Sequence, residues 1–250
     1  LRRAAQRGAA WVHVGPVPAA WKRLVTLAVD CQAGDEAAAL SAICGAVVSQ
    51  KLESSAHLAA ATDGAVVRAH AFAPALPGCA EAARLIADPA RRVILAVNQD
   101  TPVGGDHAEV RWAADLALLT GRVGGAAGGL LVVKNEANGQ GVQDALYGAG
   151  FADAEDLARA RAGLRAGTIQ AVVLVGVDPA GLGDLAADLA RAEFTAAMDL
   201  FPNAATARAD VVVPLCPIQE EDGTLVSFDG RVTPVRRVFK PLAGFGNLEF

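Results

Sequence analysis

The segment QAVVLVGVDP, residues 170–179, is an almost continuous apolar run that ends in a glycine and an Asp-Pro pair. A parallel strand that is buried on both faces has this composition. Further apolar runs lie at 93–97, 193–200 and 209–215, and Ala-rich helical segments separate them. Since strands that alternate with helices are joined by right-handed crossovers, the sequence predicts an α/β protein. We expect doubly wound, mostly parallel sheets flanked by helices.

Several local elements are also predicted. Helices are expected at 81–87, at about 107–119 and at 153–167, where Asp153 would be the N-cap and Gly167 the stop. The glycines of NGQG, residues 138–141, predict a turn. The turn dipeptides at 222–223 and 229–230 predict a strand pair or a loop-and-strand cap.

The overall composition excludes several classes of protein. The 250-residue chain has 53% hydrophobic and 20% charged residues and a formal net charge of −5. This balance is not that of an intrinsically disordered chain. Lys and Arg form no basic stripe, so we expect no nucleic-acid partner. No apolar run approaches the roughly 20 residues that a membrane helix needs, so we expect no direct membrane insertion.

Cysteine and histidine are scattered along the chain. The four cysteines contain no C-x-x-C pair, and iron–sulfur and structural zinc sites need thiolates at close spacing. We therefore predict no metal site in this segment, and we interpret the cysteines as small core residues or chance surface residues. The four histidines are isolated from one another and are interpreted as structural.

The chain is predicted to contain two domains. Residues 1–80 would form a partial Rossmann-like α/β domain, truncated at its N terminus, and residues 81–250 a second α/β domain with a C-terminal turn-and-strand segment. In the first domain, residues 35–52 are predicted to form a helix in which Ala38, Ile43 and Val47 share a face. Residue 1 is not Met, and the last residues contain no terminating element. We therefore expect an internal segment of a longer polypeptide.

Glycine dominates the segment LLTGRVGGAAGGLLVVKNEANGQG, residues 118–141. A backbone uses this much glycine where it bends tightly or approaches another group closely. A Walker loop needs Gly-Lys-Ser/Thr, and a dinucleotide fingerprint follows a strand, whereas these glycines follow a predicted helix. The residues alone leave two interpretations open: a surface connection, or a loop that contacts a ligand.

Carboxylates occupy two other places that could carry chemistry. Asp178 and Asp199 follow strands, where an open α/β sheet binds its ligands. However, ordinary turn and cap positions explain both residues. Acidic residues also cluster between 209 and 231 without a histidine, as in a solvated loop. We predict no catalytic residue among them.

Five segments, read in order, resemble the molybdopterin oxidoreductase family. They are LLTGRVGG, NGQGVQD, LVGVDP, MDLF followed by TARADVVVP, and EEDGTLVSFDGR. The residues that match the motifs of that family are Asn138, Gln140, Gly141, Asp144, Ala209, Asp210, Pro214, Glu220, Gly223, Thr224, Gly230 and Arg231. The resemblance covers nearly all of the chain and implies domains like those of formate dehydrogenase and DMSO reductase.

The departures from the family pattern indicate a vestigial pocket. Where family members that hold a pterin-guanine dinucleotide carry Asp-Pro-Arg, this chain has Gly15, Pro16 and Val17, and a later family Asp is lengthened to Glu36. The loss of Arg removes a guanidinium group, which could bind a phosphate through two parallel hydrogen bonds. The candidate pocket residues implied by the resemblance are Glu36, Gly121, Gly124, Gly128, Asn138, Gln140, Gly141 and Asp144.

Within the family, this pattern is similar to the large iron–sulfur G subunits of NADH:quinone oxidoreductases, the respiratory complex I. That branch keeps the fold and is generally regarded as having lost molybdopterin. The resemblance implies a non-catalytic scaffold for electron transfer from NADH to quinone, coupled to proton translocation, with the iron–sulfur clusters N-terminal to this segment. It also implies other hydrophilic subunits as partners and a peripheral position on the cytoplasmic side of the inner (plasma) membrane.

Two alternatives remain open. The chain could belong to the catalytic subunit of a molybdenum or tungsten bis-pterin enzyme, such as a formate dehydrogenase or nitrate reductase, whose metal ligand lies upstream. It could also be a module that binds a nucleotide in the pocket where the family binds its cofactor, without redox chemistry.

Overall fold

The computed structural model describes residues 2–61, 71–99, 107–123, 128–134, 136–148, 154–247 and 249. These residues form two compact units, the first before residue 135 and the second within Glu136–Phe250. The boundary predicted near residue 80 falls inside the first unit. As a statement about the family's domains, it stays a prediction.

The first unit combines two parallel strand pairs with helices. Its elements are α1 (Arg2–Gln6), β1 (Val12–Val14), β2 (Leu27–Val29), α2 (Glu36–Ser49), α3 (Ser55–Ala61), α4 (Cys79–Ala87), β3 (Val93–Gln99), α5 (Ala108–Leu119) and β4 (Gly128–Lys134). Strand β1 pairs with β2 in parallel, and β3 pairs with β4 in parallel. The predicted helices at 81–87 and 107–119 and the strand at 93–97 are thus present.

Helix α2 is the centre of the first unit's core, where it packs against α4 and α5. Ile43 and Val47 are fully buried, as predicted. Ala38 is exposed and Ala39 is buried in its place, so the prediction for Ala38 is wrong. Positions 39, 43 and 47 are spaced by four residues and share one helical face, whereas position 38 precedes Ile43 by five.

Buried thiols contribute to the same core. Cys44 and Cys79 belong to it, which confirms their interpretation as small core residues. Burial raises the pKa of the Cys44 thiol to about 12. This thiol is therefore protonated at neutral pH.

The second unit contains a three-stranded parallel sheet and an antiparallel hairpin. Its elements are α6 (Gly139–Gly148), α7 (Ala154–Ala166), β5 (Ala171–Val175), α8 (Asp184–Leu189), β6 (Phe194–Asp199), β7 (Val211–Pro214), β8 (Gly223–Val226) and β9 (Val232–Val235). The sheet order is β5-β6-β7, and β8 pairs with β9. The α/β class with parallel sheets and flanking helices is confirmed, and the specific fold of the family's domains stays a prediction.

Strand β5 is present where the apolar run predicted it, but it is not buried on both faces. Val172 and Leu174 are half-buried, whereas Val173 and Val175 on the other face are 63% and 55% exposed. The order β5-β6-β7 gives two successive crossovers in the same direction, and right-handed crossovers then lie on one face of the sheet. The described crossovers therefore cover only one side of β5.

Two predicted features of the glycine-rich segment need correction. Gly128 and Gly129 begin strand β4 and do not lie in a loop. The NGQG sequence opens helix α6, so the turn predicted there is wrong beyond residue 138. Tertiary pairing of β4 with β3 overrides the weak strand propensity of glycine.

The C-terminal strand pair is confirmed. Asp229 and Gly230 form its turn, in which Gly230 has a φ of +77° and the Ser227 N–H donates to the Arg231 carbonyl at 3.0 Å. Gly167 ends α7 with a φ of +71°, as predicted. Asp153, the predicted N-cap of this helix, lies outside the described residues. Among the described helices, none is both long enough and apolar enough to cross a bilayer.

Helices α7 and α8 are joined by a buried carboxylate. Asp188 on α8 is 4% exposed and accepts from Arg165 Nε at 2.7 Å and from Arg161 Nε at 2.6 Å. Hydrogen bonds from Arg165 and Arg161 lower the pKa of Asp188 to about 2. Two guanidinium groups from one helix thus hold a single acid of the next.

This clamp makes the stability of the second unit depend on pH. An unfolded Asp titrates near a pKa of about 3.9. Because the folded pKa is lower, the stabilisation is complete above the unfolded value and is lost as the pH falls towards 2. We expect Asp188→Asn to lower the melting temperature at pH 7 and to flatten its decline between about pH 5 and pH 2.

The control is Glu193→Gln, which removes an exposed carboxylate of the same unit. This variant keeps the wild-type decline with pH. Melting curves followed by circular dichroism give the comparison, and an Asp188→Asn profile parallel to the wild type contradicts the clamp.

Candidate functional site

Gly121 lies just beyond the C terminus of α5 and adopts a left-handed conformation, with a φ of +69°. Its N–H donates to the Leu118 carbonyl at 3.2 Å. A β-carbon at this position would lie 3.0 Å from Ser54 Oγ. Both the backbone conformation and the packing require glycine here, and protein atoms account for both requirements.

Arg122, the next residue, has a buried guanidinium group. The residue is 3% exposed, and its Nε and Nη2 donate to the Ile86 carbonyl at 2.9 and 2.7 Å. Nη1 donates to the Arg91 carbonyl at 3.0 Å, and Nη2 also donates to the Asp88 carbonyl at 2.6 Å. These carbonyls lie at the C terminus of α4 and in the turn that follows, where a cation also complements the helix dipole. Arg122 therefore binds the protein's own backbone.

Gly128 depends on this arginine. A β-carbon at 128 would overlap the carbonyl oxygen of Val93 on the paired strand, and it would lie 3.1 Å from Arg122 Cδ. A β-carbon at Gly129 would meet no atom within 4 Å. The close approach that requires glycine at 128 is thus to β3 and to Arg122.

A shallow cleft of about 420 Å³ lies beside this segment. It is lined by Lys51, Leu52, Glu53, Ser54, Ala87, Pro89, Thr120, Gly121 and Arg122. Gly121 is the predicted pocket residue that it contains. Gly124, another predicted residue, lies outside the described residues.

Glu36 lies at the carboxyl ends of β1 and β2, where an open parallel sheet binds ligands. Its Oε2 accepts from the Gly34 N–H at 2.7 Å, and its Oε1 lies 3.3 Å from the place of a β-carbon at Gly15. Two positions at which the sequence departs from the family pattern thus meet in space. The side chain of Glu36 packs against Gly15, which has no side chain of its own.

The surroundings of Glu36 are acidic. Burial raises the pKa of the nearby Cys31 thiol, and the carboxylates of Glu36, Asp35 and Asp30 raise it further. Three carboxylates at the ends of β1 and β2 would repel a phosphate group placed there.

Asn138 and Gly141 meet at the start of α6. A β-carbon at Gly141 would overlap Asn138 Oδ1, so glycine leaves room for that side chain. Asn138 Oδ1 accepts from the Val226 N–H of β8 at 2.8 Å. Two motifs of the sequence are therefore joined by one hydrogen bond. Gln140 and Asp144 lie on the same helix, and Gln140 Nε2 donates to Asp144 Oδ1 at 2.6 Å.

The acids after the strands hold turns, as the alternative interpretation predicted. Asp178 accepts from the Ala180 N–H at 3.0 Å, and Asp199 accepts from the Leu200 N–H at 2.7 Å and from Asn203 Nδ2 at 2.7 Å. Asp210 accepts from the Thr195 N–H of β6 at 2.8 Å. These carboxylates fasten backbone segments.

The acidic cluster after β7 is not only a solvated loop. Glu220 and Glu221 are half-buried. Glu220 accepts from the Leu242 N–H at 2.9 Å, and Glu221 accepts from the Asn247 N–H at 2.5 Å. The prediction of a solvated loop missed this role because the partners lie more than 20 residues away and form no sequence pattern. Arg122 was missed for the same reason.

Within the units, the structure brings several predicted residues together. Glu36 lies against Gly15, Gly121 and Gly128 flank Arg122, and Asn138 packs on Gly141. Among the described residues, no three His, Cys, Asp or Glu side chains group as metal ligands. His13 Nε2 lies 3.3 Å from the Pro16 carbonyl, whereas His70 is outside the described residues.

Comparison with known proteins gives partial relatives. No family model matches the chain. The chain is 29% identical over 163 residues to the NADPH-Fe(3+) oxidoreductase subunit alpha of Geobacter sulfurreducens, which covers 55% of this chain and 19% of that protein. It is 36% identical over 78 residues to the G subunit of the NADH-quinone oxidoreductase of Streptomyces coelicolor, which covers 30% of this chain and 9% of that protein.

The chain is related to oxidoreductase subunits. The chain spans 19% of the length of the Geobacter relative and 9% of the length of the Streptomyces relative. Both relatives are named as subunits, which supports a setting in a multi-subunit complex. The match is consistent with a molybdopterin-oxidoreductase-like family.

The two glycines that begin β4 provide a matched pair of variants. We expect Gly128→Ala to destabilise the protein by about 1–3 kcal/mol, because its β-carbon meets the backbone of β3. Gly129→Ala has open space and should change stability by less than about 1 kcal/mol. Urea unfolding measures both, and equal effects contradict the packing explanation.

Replacement of Arg122 tests the anchor. We expect Arg122→Met to destabilise the protein by about 1–3 kcal/mol, since it leaves the buried carbonyl of Ile86 and the part-buried carbonyls of Asp88 and Arg91 without their donor. Arg92→Gln, at an exposed arginine just before β3, should stay within about 0.5 kcal/mol of the wild type. Similar urea midpoints for the two variants contradict the anchoring role.

Proposed function

We propose that this chain is a non-catalytic scaffold segment of an NADH:quinone oxidoreductase G subunit. The observation that carries the proposal concerns the described part of the glycine-rich segment: Arg122 lies beside Gly128 and donates to three backbone carbonyls of the protein. The similarity to the Streptomyces protein supports the same assignment. In this scaffold, contacts within the protein would replace the contacts that other members of the family make to a cofactor.

The described residues fit a pterin-guanine dinucleotide poorly. Such a ligand carries phosphates, which need cationic or N–H donors. The guanidinium nitrogens of Arg122 donate to backbone carbonyls, and the carboxylates of Asp30, Asp35 and Glu36 lie near the ends of β1 and β2. Asn138 Oδ1 is engaged by Val226, and Gln140 by Asp144. We derive no chemical step from this segment.

The rest of the proposal concerns the whole subunit. Iron–sulfur clusters in another part of the subunit would carry the electrons from NADH towards quinone. Other hydrophilic subunits would be the partners, and the subunit would lie peripherally on the cytoplasmic side of the inner (plasma) membrane.

A second candidate is a subunit of an NADPH-dependent iron(III) reductase. The match to the Geobacter protein favours it, because that match covers 55% of this chain against 30% for the Streptomyces one. A molybdenum or tungsten enzyme and a nucleotide-binding module are the further alternatives. These alternatives differ from the main proposal in the electron donor, the electron acceptor or the bound cofactor.

Metal and nucleotide binding by the intact subunit test the scaffold proposal. We expect no stoichiometric molybdenum or tungsten by mass spectrometry and no extractable pterin. We also expect no rise in melting temperature with GMP, GDP or GTP at millimolar concentration, because a ligand that binds only the folded state must raise it. Stoichiometric metal with pterin, or a saturable nucleotide shift, overturns the proposal.

The assembled complex separates the two oxidoreductase candidates. Under the main proposal it oxidises NADH with a soluble quinone as acceptor. Oxidation of NADPH with iron(III) citrate, without quinone reduction, selects the second candidate instead.

A further inference from the structure

The parallel sheet of the second unit has one face made entirely of apolar residues. The register of the three strands puts paired residues on the same side of the sheet. The residues of this face are Ala171, Val173, Val175, Phe194, Ala196, Met198, Val211 and Val213. We name it the open face. It contains no charged or hydrogen-bonding side chain.

The open face is exposed to solvent in the described chain. Val173, Val175 and Phe194 are 63%, 55% and 43% exposed, and Val211 is 45% exposed. On the opposite face, Ala197 is 1% exposed and Val172 and Leu174 are half-buried, whereas Val212 of the edge strand β7 is 49% exposed. Contiguous apolar patches larger than a few hundred Å² are rare on soluble monomers and mark interaction sites.

The topology explains why this face is bare. The strand order β5-β6-β7 follows the chain order, so both right-handed crossovers lie on the other side. In a parallel sheet, the second face is covered by the helices of strands that lie beyond a reversal of the order. The described residues of the second unit contain no such strand, and β5 and β7 are the edges of its sheet.

We propose that the open face is covered by an amphipathic α-helix of the same subunit, from a segment outside residues 1–250. A helix is the element that covers parallel sheets, and an all-apolar face needs an apolar stripe with residues at i, i+3, i+4 and i+7. The relatives leave ample chain for this purpose, since the matched stretches cover 19% and 9% of them. The inference does not depend on the scaffold proposal, because an enzyme needs the same cover.

Photo-crosslinking in the full-length subunit, as its gene encodes it, tests the occupant. Benzoylphenylalanine replaces Val173 in one variant and Val211 in another. If one variant does not fold, the other still gives a result. Leu242, which is 94% exposed in a turn of the same unit, is the control position. The purified subunit and, separately, the assembled complex are irradiated at low concentration, and the cross-linked peptides are identified by mass spectrometry.

We expect Val173 and Val211 to cross-link within one polypeptide to a common peptide outside residues 1–250 that has the apolar stripe. The control should not reach that peptide. A cross-link to a second copy, to another subunit or to residues 1–250 overturns the proposal. The proposal is also overturned if the subunit has no segment outside residues 1–250, or if neither position gives a cross-link.

The stability of the same full-length protein provides an independent test. Val173→Lys should lower its melting temperature by about 5 °C or more, because the covering helix would bury an unpartnered charge. Leu242→Lys should leave the melting temperature unchanged within about 1 °C. A Val173→Lys variant as stable as the control shows that the face is free, and the proposal is then wrong.

Discussion

The buried guanidinium of Arg122 anchors the chain just beyond α5 to the rest of the first unit. It reaches the carbonyls of Ile86, Asp88 and Arg91 and so joins the end of α4, the turn before β3 and the end of α5. A charge that is 3% exposed is tolerable only when its donors are satisfied, and these carbonyls satisfy them. The arginine stem also passes beside the first residue of β4, where a β-carbon would lie 3.1 Å from Arg122 Cδ and would overlap the Val93 carbonyl. The backbone of β3 excludes a side chain at 128, and the stem of Arg122 narrows the space further.

The same principle applies to the polar residues of the second unit. Asn138, Asp199, Asp210 and Glu221 each accept from a backbone N–H of another segment or turn. A buried or half-buried N–H that loses its acceptor destabilises the fold, so such residues have structural value without a ligand. Residues such as Asn138 and Asp210, which match a cofactor-binding family, therefore have a role in holding the backbone that requires no ligand.

Much of the fold could be predicted from the sequence, because the period of apolar residues reports secondary structure directly. The strands at 93–97 and 171–175 and the helices at 81–87 and 107–119 were found in this way. Ala38 was misplaced by one position, because alanine gives a helix little contrast between its faces. The glycines of β4 were missed as a strand, since strand pairing and not local propensity decides their structure.

The candidate site was harder to predict than the fold. Sequence order located Glu36, Gly121, Gly128 and Asn138, but it could not give their partners. The contacts of Gly121 with Ser54 and of Asn138 with Val226 join residues that are distant in the chain. No local pattern encodes such contacts, and for this reason Arg122 received no role from its sequence.

The hydrogen bond between Asn138 and Val226 also bears on how the chain folds. It closes a loop of 88 residues, and closing long loops is entropically slow compared with forming local helices and hairpins. During synthesis, α6 leaves the ribosome well before β8 exists. Because β8 follows all three strands of the parallel sheet along the chain, the start of α6 can gain this partner only after the strands of that sheet have been synthesised.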